Sequence, residues 1–305
     1  MRIVYMGTPD FAVPALCDLY EAGHEILCAV SQPDKPVGRH AECKPTPVKE
    51  KALELGIPVL QPAKATDPLF IETIRKMEPD VCVVAAYGKI LRKVFLDIPK
   101  YGCINIHASL LPKYRGSAPI QWSVINGDRT TGITIMKLDE GMDTGDILLQ
   151  EEIELDPEET GGSLFDRLKM IGGPLCLKAL KGIEEGSIVP EKQKEEYATK
   201  APVLTKEMGE MDFSRDAQSL ERLVRGLTPW PGAYTFVKGK MLKIHKAEVG
   251  SVSVKGTPGE FLIEGDRIYA FCGNGTVLSL LEVQLEGKKR MTAADFLRGS
   301  RKVFE

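Results

Sequence analysis

Apolar residues in the first two-thirds of this chain gather into short runs separated by stretches with helical spacing. Residues 2–6, 26–30 and 81–86 are near-continuous apolar runs bounded by polar or glycine positions, the pattern of strands buried on both faces. Between them, residues 12–22 continue a helical face begun by Phe11 and carried by Leu16 and Leu19. Residues 49–55 and 68–77 predict two more helices, with a short strand at 58–60. Residues 133–137 and 147–153 read as later strands, and 163–180 as a long helix with Ser163 as its N-cap. Strand and helix alternate throughout, which predicts a doubly wound, Rossmann-like α/β domain.

Beyond residue 184 the apolar periodicity fades and charge accumulates, predicting a linker over 190–208. After a helix at 217–225, the runs 233–237, 241–247, 260–264, 267–271 and 277–283 are short, β-like and punctuated by glycine. Met291 then opens a final short helix. The expected organisation is a domain at 1–189, the linker, and a smaller β-barrel domain at 209–305.

Composition narrows the class. Of 305 residues, 43% are apolar, enough for a packed core, while no run approaches the roughly 18 uncharged apolar residues of a membrane span. The first strand begins at once, with no export signal ahead of it, so a cytoplasmic chain without a membrane partner is expected. Seven cysteines, odd in number and without a C-x-x-C pair, fit a reducing compartment. Four histidines without Cys/His clustering give no zinc spacing, and no metal is expected. The net charge of −3 divides unevenly. Residues 209–305 carry 15 Lys+Arg against 12 Asp+Glu, leaving 25 against 31 elsewhere, so the positive surplus lies in the C-terminal part, as a nucleic-acid-facing domain requires.

The candidate chemistry lies between Cys103 and Ile147. Cys103 to His107 alternates as a strand, which puts Asn105 and His107 on one face. Ser109-Leu110-Leu111-Pro112 then takes the chain off the strand as a loop, where open α/β sheets bind ligands. Asp143 sits in Gly141-Met142-Asp143-Thr144-Gly145-Asp146, a tight turn able to return a carboxylate to the same cleft. An amide donor, an imidazole and a carboxylate suit acyl transfer, which must stabilise an oxyanion and remove a proton. There is no nucleophile elbow, so no covalent enzyme intermediate is expected.

Three other stretches stand out. The turn after the first strand has one glycine and matches neither a dinucleotide fingerprint nor a Walker A loop. Residues 32–48 hold four prolines, Arg39 and Lys44 without periodicity, too long a connection to be idle unless it is simply mobile. Residues 87–91 fit either a pocket wall or core, and Trp230, between two prolines, reads as a cap over the barrel.

The ordered pattern from Asn105 through Ser109-Leu110-Leu111-Pro112, Tyr114-Arg115-Gly116 and the Asp143 turn resembles the 10-formyltetrahydrofolate-dependent formyltransferases. Met6 to Phe11, Ser31-Gln32-Pro33-Asp34-Lys35-Pro36 and Thr228-Pro229-Trp230-Pro231-Gly232 extend the resemblance over nearly the whole chain. It implies that Asn105 and His107 hold the formyl oxygen while Asp143 orients His107 or a proton-relaying water. It also implies that Ser109, Leu110, Leu111 and Pro112 line the folate site, and that the C-terminal barrel is of oligonucleotide-binding (OB-like) type. Within the family the Gln32-to-Arg39 loop is most similar to the branch whose acceptor is methionyl initiator tRNA in translation initiation. There Arg39 and Lys44 would touch the tRNA, and the enzyme is expected to act as a monomer. One departure bears on that loop: Gly38-Arg39 is followed by His40-Ala41-Glu42, where relatives often carry basic residues. Two alternatives stay open. A formyltransferase of amino-sugar nucleotides shares the second domain but resembles this loop less, and a non-enzymatic nucleic-acid-binding protein would have no use for the Asn105, His107, Asp143 set.

Overall fold

The computed structural model describes residues 1–37 and 42–304. In chain order the elements begin with β1 (Arg2–Gly7), α1 (Val13–Glu21), β2 (Glu25–Val30), β3 (Lys35–Val37), β4 (Glu42–Lys44), α2 (Pro47–Glu54) and β5 (Val59–Leu60). They continue with α3 (Pro68–Lys76), β6 (Val81–Ala85), α4 (Lys93–Leu96), β7 (Cys103–His107), β8 (Arg115–Gly116), α5 (Pro119–Asn126), β9 (Thr130–Lys137), β10 (Ile147–Glu154) and α6 (Gly161–Glu185). After β11 (Lys200–Ala201) come α7 (Ala217–Gly226), β12 (Ala233–Val237), β13 (Lys240–Gly250), β14 (Phe261–Glu264), β15 (Arg267–Phe271), β16 (Val277–Leu285), β17 (Met291–Thr292) and α8 (Ala293–Ser300). No helix among the described residues is long and apolar enough to cross a membrane.

The chain divides into two compact units. The first comprises Met1–Pro119, Thr130–Glu154 and Phe165–Ala201, the second Ile120–Arg129, Leu155–Leu164 and Pro202–Glu305. In the first, a seven-stranded sheet has the order β10-β9-β7-β6-β1-β2-β5. The five strands from β7 to β5 run parallel, while β9 is antiparallel to both β7 and β10. The chain builds outward from β1 to β5 and then returns to β6 on the other side, so the switch point of this doubly wound sheet lies between β1 and β6. Ile3, Val4, Tyr5 and Met6 are fully buried, as parallel strands covered on both faces must be.

The two faces of the sheet are covered differently. Val4, Met6, Cys28, Val30, Cys82, Val84 and Cys103 pack with Phe70, Ile71 and Ile74 of α3 and with Phe95 and Leu96 of α4. Phe70 and Phe95 stack at 5.7 Å between centroids. On the opposite face Gly172 of α6 lies so close to Ile106 that a Cβ there would fall 2.8 Å from its Cγ2. Asn105 and His107, two and four residues after Cys103, therefore face the side of α3 and α4. Burial pushes the Cys28 thiol up to about 12, so it behaves as packing material and not as a nucleophile.

Helix starts follow capping chemistry: Thr46, Asp67, Asp216 and Thr292 each accept from a first-turn amide. In α6 the cap is Thr160, whose hydroxyl accepts from Ser163 N at 3.0 Å. Ser163, expected to be the cap, instead lies inside the first turn and donates to the buried Glu159.

In the second unit all five expected β-runs are strands of one antiparallel sheet, ordered β12-β13-β16-β15-β14 with β17 on β16. Among the described residues no ladder joins its two ends. The amphipathic α7 packs on β13 and buries Leu220, Leu223 and Val224. Gly226 meets α5 so closely that a Cβ would lie 2.4 Å from Ile125 Cγ1, and Trp122 Nε1 donates to Pro202 O. Trp230, expected to cap the sheet, is 54% exposed and stays in solvent.

The stretch 190–208 is built into structure along much of its length. Glu191 bridges Ile147, Thr199 bonds Pro112, Tyr114 and Arg115, and β11 pairs with β8. It lacks apolar periodicity because it adheres through hydrogen bonds, not through a buried stripe.

The base of the β3–β4 hairpin is held by Asp34. Its carboxylate accepts from Lys49 Nζ and from Gln61 Nε2, which also donates to Gln32 O. Lys49 first, then Gln61, hold this carboxyl below its usual range. A folded-state value below the unfolded one contributes stability above about pH 4, which is lost as pH falls through the folded value. Asp34→Asn should therefore unfold at lower urea than the parent at pH 7, and the gap should close as pH drops below about 4. A gap independent of pH would assign the effect to packing.

Candidate active site

Strand β7 places Asn105 opposite Val84 and Met136, and His107 opposite Thr134. Asn105 is half-buried, and its side-chain amide has no hydrogen-bond partner among the described residues. His107 is 5% exposed. Its Nε2 lies 3.0 Å from Tyr114 O, and since a carbonyl can only accept, Nε2 carries the hydrogen and Nδ1 is the remaining ring nitrogen. Nδ1 lies 3.7 Å from Asp143 Oδ2. The structure thus brings His107 and Asp143 together and leaves the Asn105 amide free two residues before His107 on the same strand.

Delivering Asp143 is a geometric problem. Because β9 is antiparallel to β7, Lys137 ends β9 opposite Ile104, near the start of β7. The loop that follows must return about 10 Å along the strand to reach His107. It does so with Asp143 in the left-handed region at φ 54°, a conformation that aspartate tolerates better than most residues. Gly145 is required by close approach, since a Cβ would fall 1.7 Å from Lys137 O. Thr144 and Gly141 N both bond Asp139 within the turn. From outside it, Gly116 N donates to Asp143 Oδ2 at 2.8 Å, and Gln193 Nε2 donates to Asp143 O at 2.8 Å and Gly145 O at 2.7 Å. Arg115 Nε in turn donates to Gln193 Oε1 at 2.9 Å. Sequence reading names Arg115 only as part of a motif and misses Gln193, which sits in the stretch read as a linker.

The loop after His107 is fastened from two strands. Thr134 Oγ1 donates to Ser109 O at 2.6 Å and accepts from Leu111 N at 3.0 Å. Gln150 Nε2 bonds Leu111 O and Thr134 Oγ1, and Ser109 Oγ donates to Lys113 O. Ser109 and Leu111 are buried, whereas Leu110 and Pro112 keep exposed surface. Of residues 87–91, Tyr87 and Leu91 belong to the core, and Ile90 is 62% exposed. Met142, on the Asp143 turn, is also exposed, and the two loops are joined by Lys93 N donating to Glu140 Oε1. Exposed apolar groups on loops around a polar strand end suit a flat heterocycle with polar edges. Among the described residues no three His, Cys, Asp or Glu side chains are placed to hold a metal ion. Lys44 is exposed at the end of β4, paired in register with Lys35. Arg39 lies outside the described residues.

Residues 1–180 match the family described as Formyl transferase, and residues 203–301 match Formyl transferase, C-terminal domain. The chain is 51% identical to the methionyl-tRNA formyltransferase of Lachnospira eligens, over 98% of this chain and 97% of that one. It is 49% identical to the protein of the same name from Caldanaerobacter subterraneus, over 98% and 97%. Among solved structures it resembles WlaRD, a sugar 3N-formyl transferase, with a TM-score of 0.69 and 17% identity over 95% of this chain and 99% of that one. HypX from Aquifex aeolicus, solved in complex with tetrahydrofolic acid, gives a TM-score of 0.63 and 19% identity over 97% of this chain and 47% of that one. At such identities the two structures speak for the fold.

The Thr134 hydroxyl is the hinge of the loop network. Thr134→Val, nearly equal in shape, should lower the unfolding free energy by roughly 1–3 kcal/mol because buried Ser109 O and Leu111 N lose their partner. Thr134→Ser should lose less. Urea unfolding of the two variants checks this, and a larger loss for Thr134→Ser than for Thr134→Val would point to the methyl group instead.

Proposed function

This chain belongs to the formyl transferase family, and from that membership we propose that it moves the formyl group of 10-formyltetrahydrofolate to the amino group of methionyl initiator tRNA. The observation that carries this reading is identity near 50%, end to end, with methionyl-tRNA formyltransferases. An amino-sugar acceptor has only fold-level likeness behind it. Such an enzyme works in the cytoplasm, where translation starts, and as a monomer.

The amino nitrogen attacks the formyl carbon of the folate donor, and the tetrahedral adduct then breaks its bond to N10, which takes up a proton and leaves as tetrahydrofolate. Leu110 and Pro112, with Ile90 and Met142, give the donor an apolar rest, while Ser109 and Leu111 act from beneath by fixing the loop. Asn105 donates its unpartnered amide to the formyl oxygen as negative charge develops there, the largest electrostatic demand of the step. His107 and Asp143 take the proton that leaves the nitrogen. With Nε2–H committed to Tyr114 O, the neutral ring turns the Nδ1 lone pair toward a carboxylate, and the two gain a charge-assisted hydrogen bond only when a proton arrives between them. What supports the proton role for His107 is that its Nε2 faces Tyr114 O and its Nδ1 faces Asp143. Arg39 and Lys44 meet phosphates near the acceptor end of the tRNA, and residues 209–305, with their positive surplus, add further contact.

The direct test incubates the protein with 10-formyltetrahydrofolate and either methionylated initiator tRNA or an amino-sugar nucleotide. Donor consumption is expected only with the tRNA, and consumption with the sugar alone would reverse the assignment. Asn105→Ala should lower kcat about 100- to 1000-fold with folate affinity little changed. Near-normal turnover in a folded variant would remove Asn105 from the oxyanion role. Lys44→Ala should weaken tRNA binding and flatten its logarithmic salt dependence by about 0.7–0.9. An unchanged slope would take the hairpin out of the tRNA interface.

A further inference from the structure

The turn that carries Asp143 is anchored from outside by a closed circuit of hydrogen bonds. Gln193 uses both hydrogens of one amide, donating to the carbonyls of Asp143 and Gly145 and so gripping the backbone on either side of Thr144. The orientation of that amide is fixed, because Arg115 Nε can only donate and therefore faces Gln193 Oε1. Arg115 is itself held in a forked pair with Glu195, at 2.9 and 2.7 Å, and its side chain is 11% exposed. The next residue, Gly116, donates its N–H to the Asp143 carboxylate. Both grips on Asp143, one on its carboxylate and one on its backbone, thus trace back to the Arg115-Gly116 dipeptide.

We propose that Gln193 is a positioning residue for formyl transfer, holding the Asp143 turn so that its carboxylate faces His107 Nδ1, with Arg115 and Glu195 fixing the Gln193 amide. This rests on the reading of Asp143 as a proton acceptor given above. The turn starts near the far end of β7, carries the exposed Met142, and has its one residue of positive φ outside glycine at the functional position. Without the grip on the Asp143 and Gly145 carbonyls, the backbone between them can rotate, and the carboxylate retains only Gly116 N. A displacement of about 1 Å between reacting groups costs up to about 100-fold in rate.

The test is Gln193→Glu, which keeps the length and the Arg115 contact but turns acceptors toward two carbonyls. Beside it, Gln193→Met removes the donors without adding charge, and Asp143→Asn serves as the reference. Steady-state kinetics with both substrates and thermal unfolding are measured for each. The expected result is a fall in kcat of roughly 10- to 100-fold for both Gln193 variants, with KM for folate and tRNA within about twofold and an unchanged melting temperature. In an Asp143→Asn background, Gln193→Met should cost nothing further, since both changes disable one group. If Asp143→Asn is crippled while Gln193→Met keeps normal kcat, the positioning role is wrong and the site reading stands. A loss confined to KM, or one that follows melting temperature, would make Gln193 merely structural. Full activity of Asp143→Asn would overturn both readings together. Should Gln193→Glu fail to fold, Gln193→Met decides alone.

Discussion

Because β9 runs antiparallel to β7, the chain that must bring a carboxylate to His107 leaves the sheet near the wrong end of the strand. Much of the site's construction answers that constraint. A loop is spent on the return, a glycine at 145 lets it pass within contact of Lys137 O, and Asp143 adopts a left-handed backbone. A loop of this kind has no ladder to hold it, so order is imported from segments distant in sequence: Gly116 on one side and Gln193 on the other. The loop after His107 is managed in the same way, its carbonyls and amides handed to Thr134 and Gln150 on the two strands beyond β7.

Local pattern made one half of this legible. Strict alternation over 103–107 put Asn105 and His107 on one face, and glycine spacing announced the Asp143 turn. The five C-terminal strands followed from short apolar runs between glycines. What the pattern could not convey was direction and partnership. Alternation is the same in a parallel and an antiparallel strand, so nothing in 130–137 signals that β9 reverses. Thr134, Gln150 and Gln193 are ordinary polar residues by composition, and their importance comes from register across strands and loops. The segment 190–208 was legible only as an absence of periodicity, which a backbone-bonded strap and a free linker share. Ser163 and Thr160 both fit a cap, and the choice between them turns on where the first helical amide falls.

The hairpin of β3 and β4 illustrates a different division of labour. Its prolines and basic residues mark the 32–48 loop as unusual, yet its base is set by Asp34, Lys49 and Gln61, which come from three separate segments. A firm base under an exposed arm lowers the ordering cost when the arm meets a large charged partner.

The second unit is not one continuous piece of chain. It begins at Ile120, breaks off after Arg129, resumes for Leu155–Leu164, and only then runs from Pro202 onward. Its short pieces are integral, as Ile125 against Gly226 and Trp122 on Pro202 attest. A gene segment encoding residue 202 onward is therefore an incomplete module. Spliced behind a foreign catalytic unit, it would lack two of its own parts, which remain inside the donor's upstream sequence. Recombination at a single junction cannot exchange it cleanly, so the two units are expected to descend together.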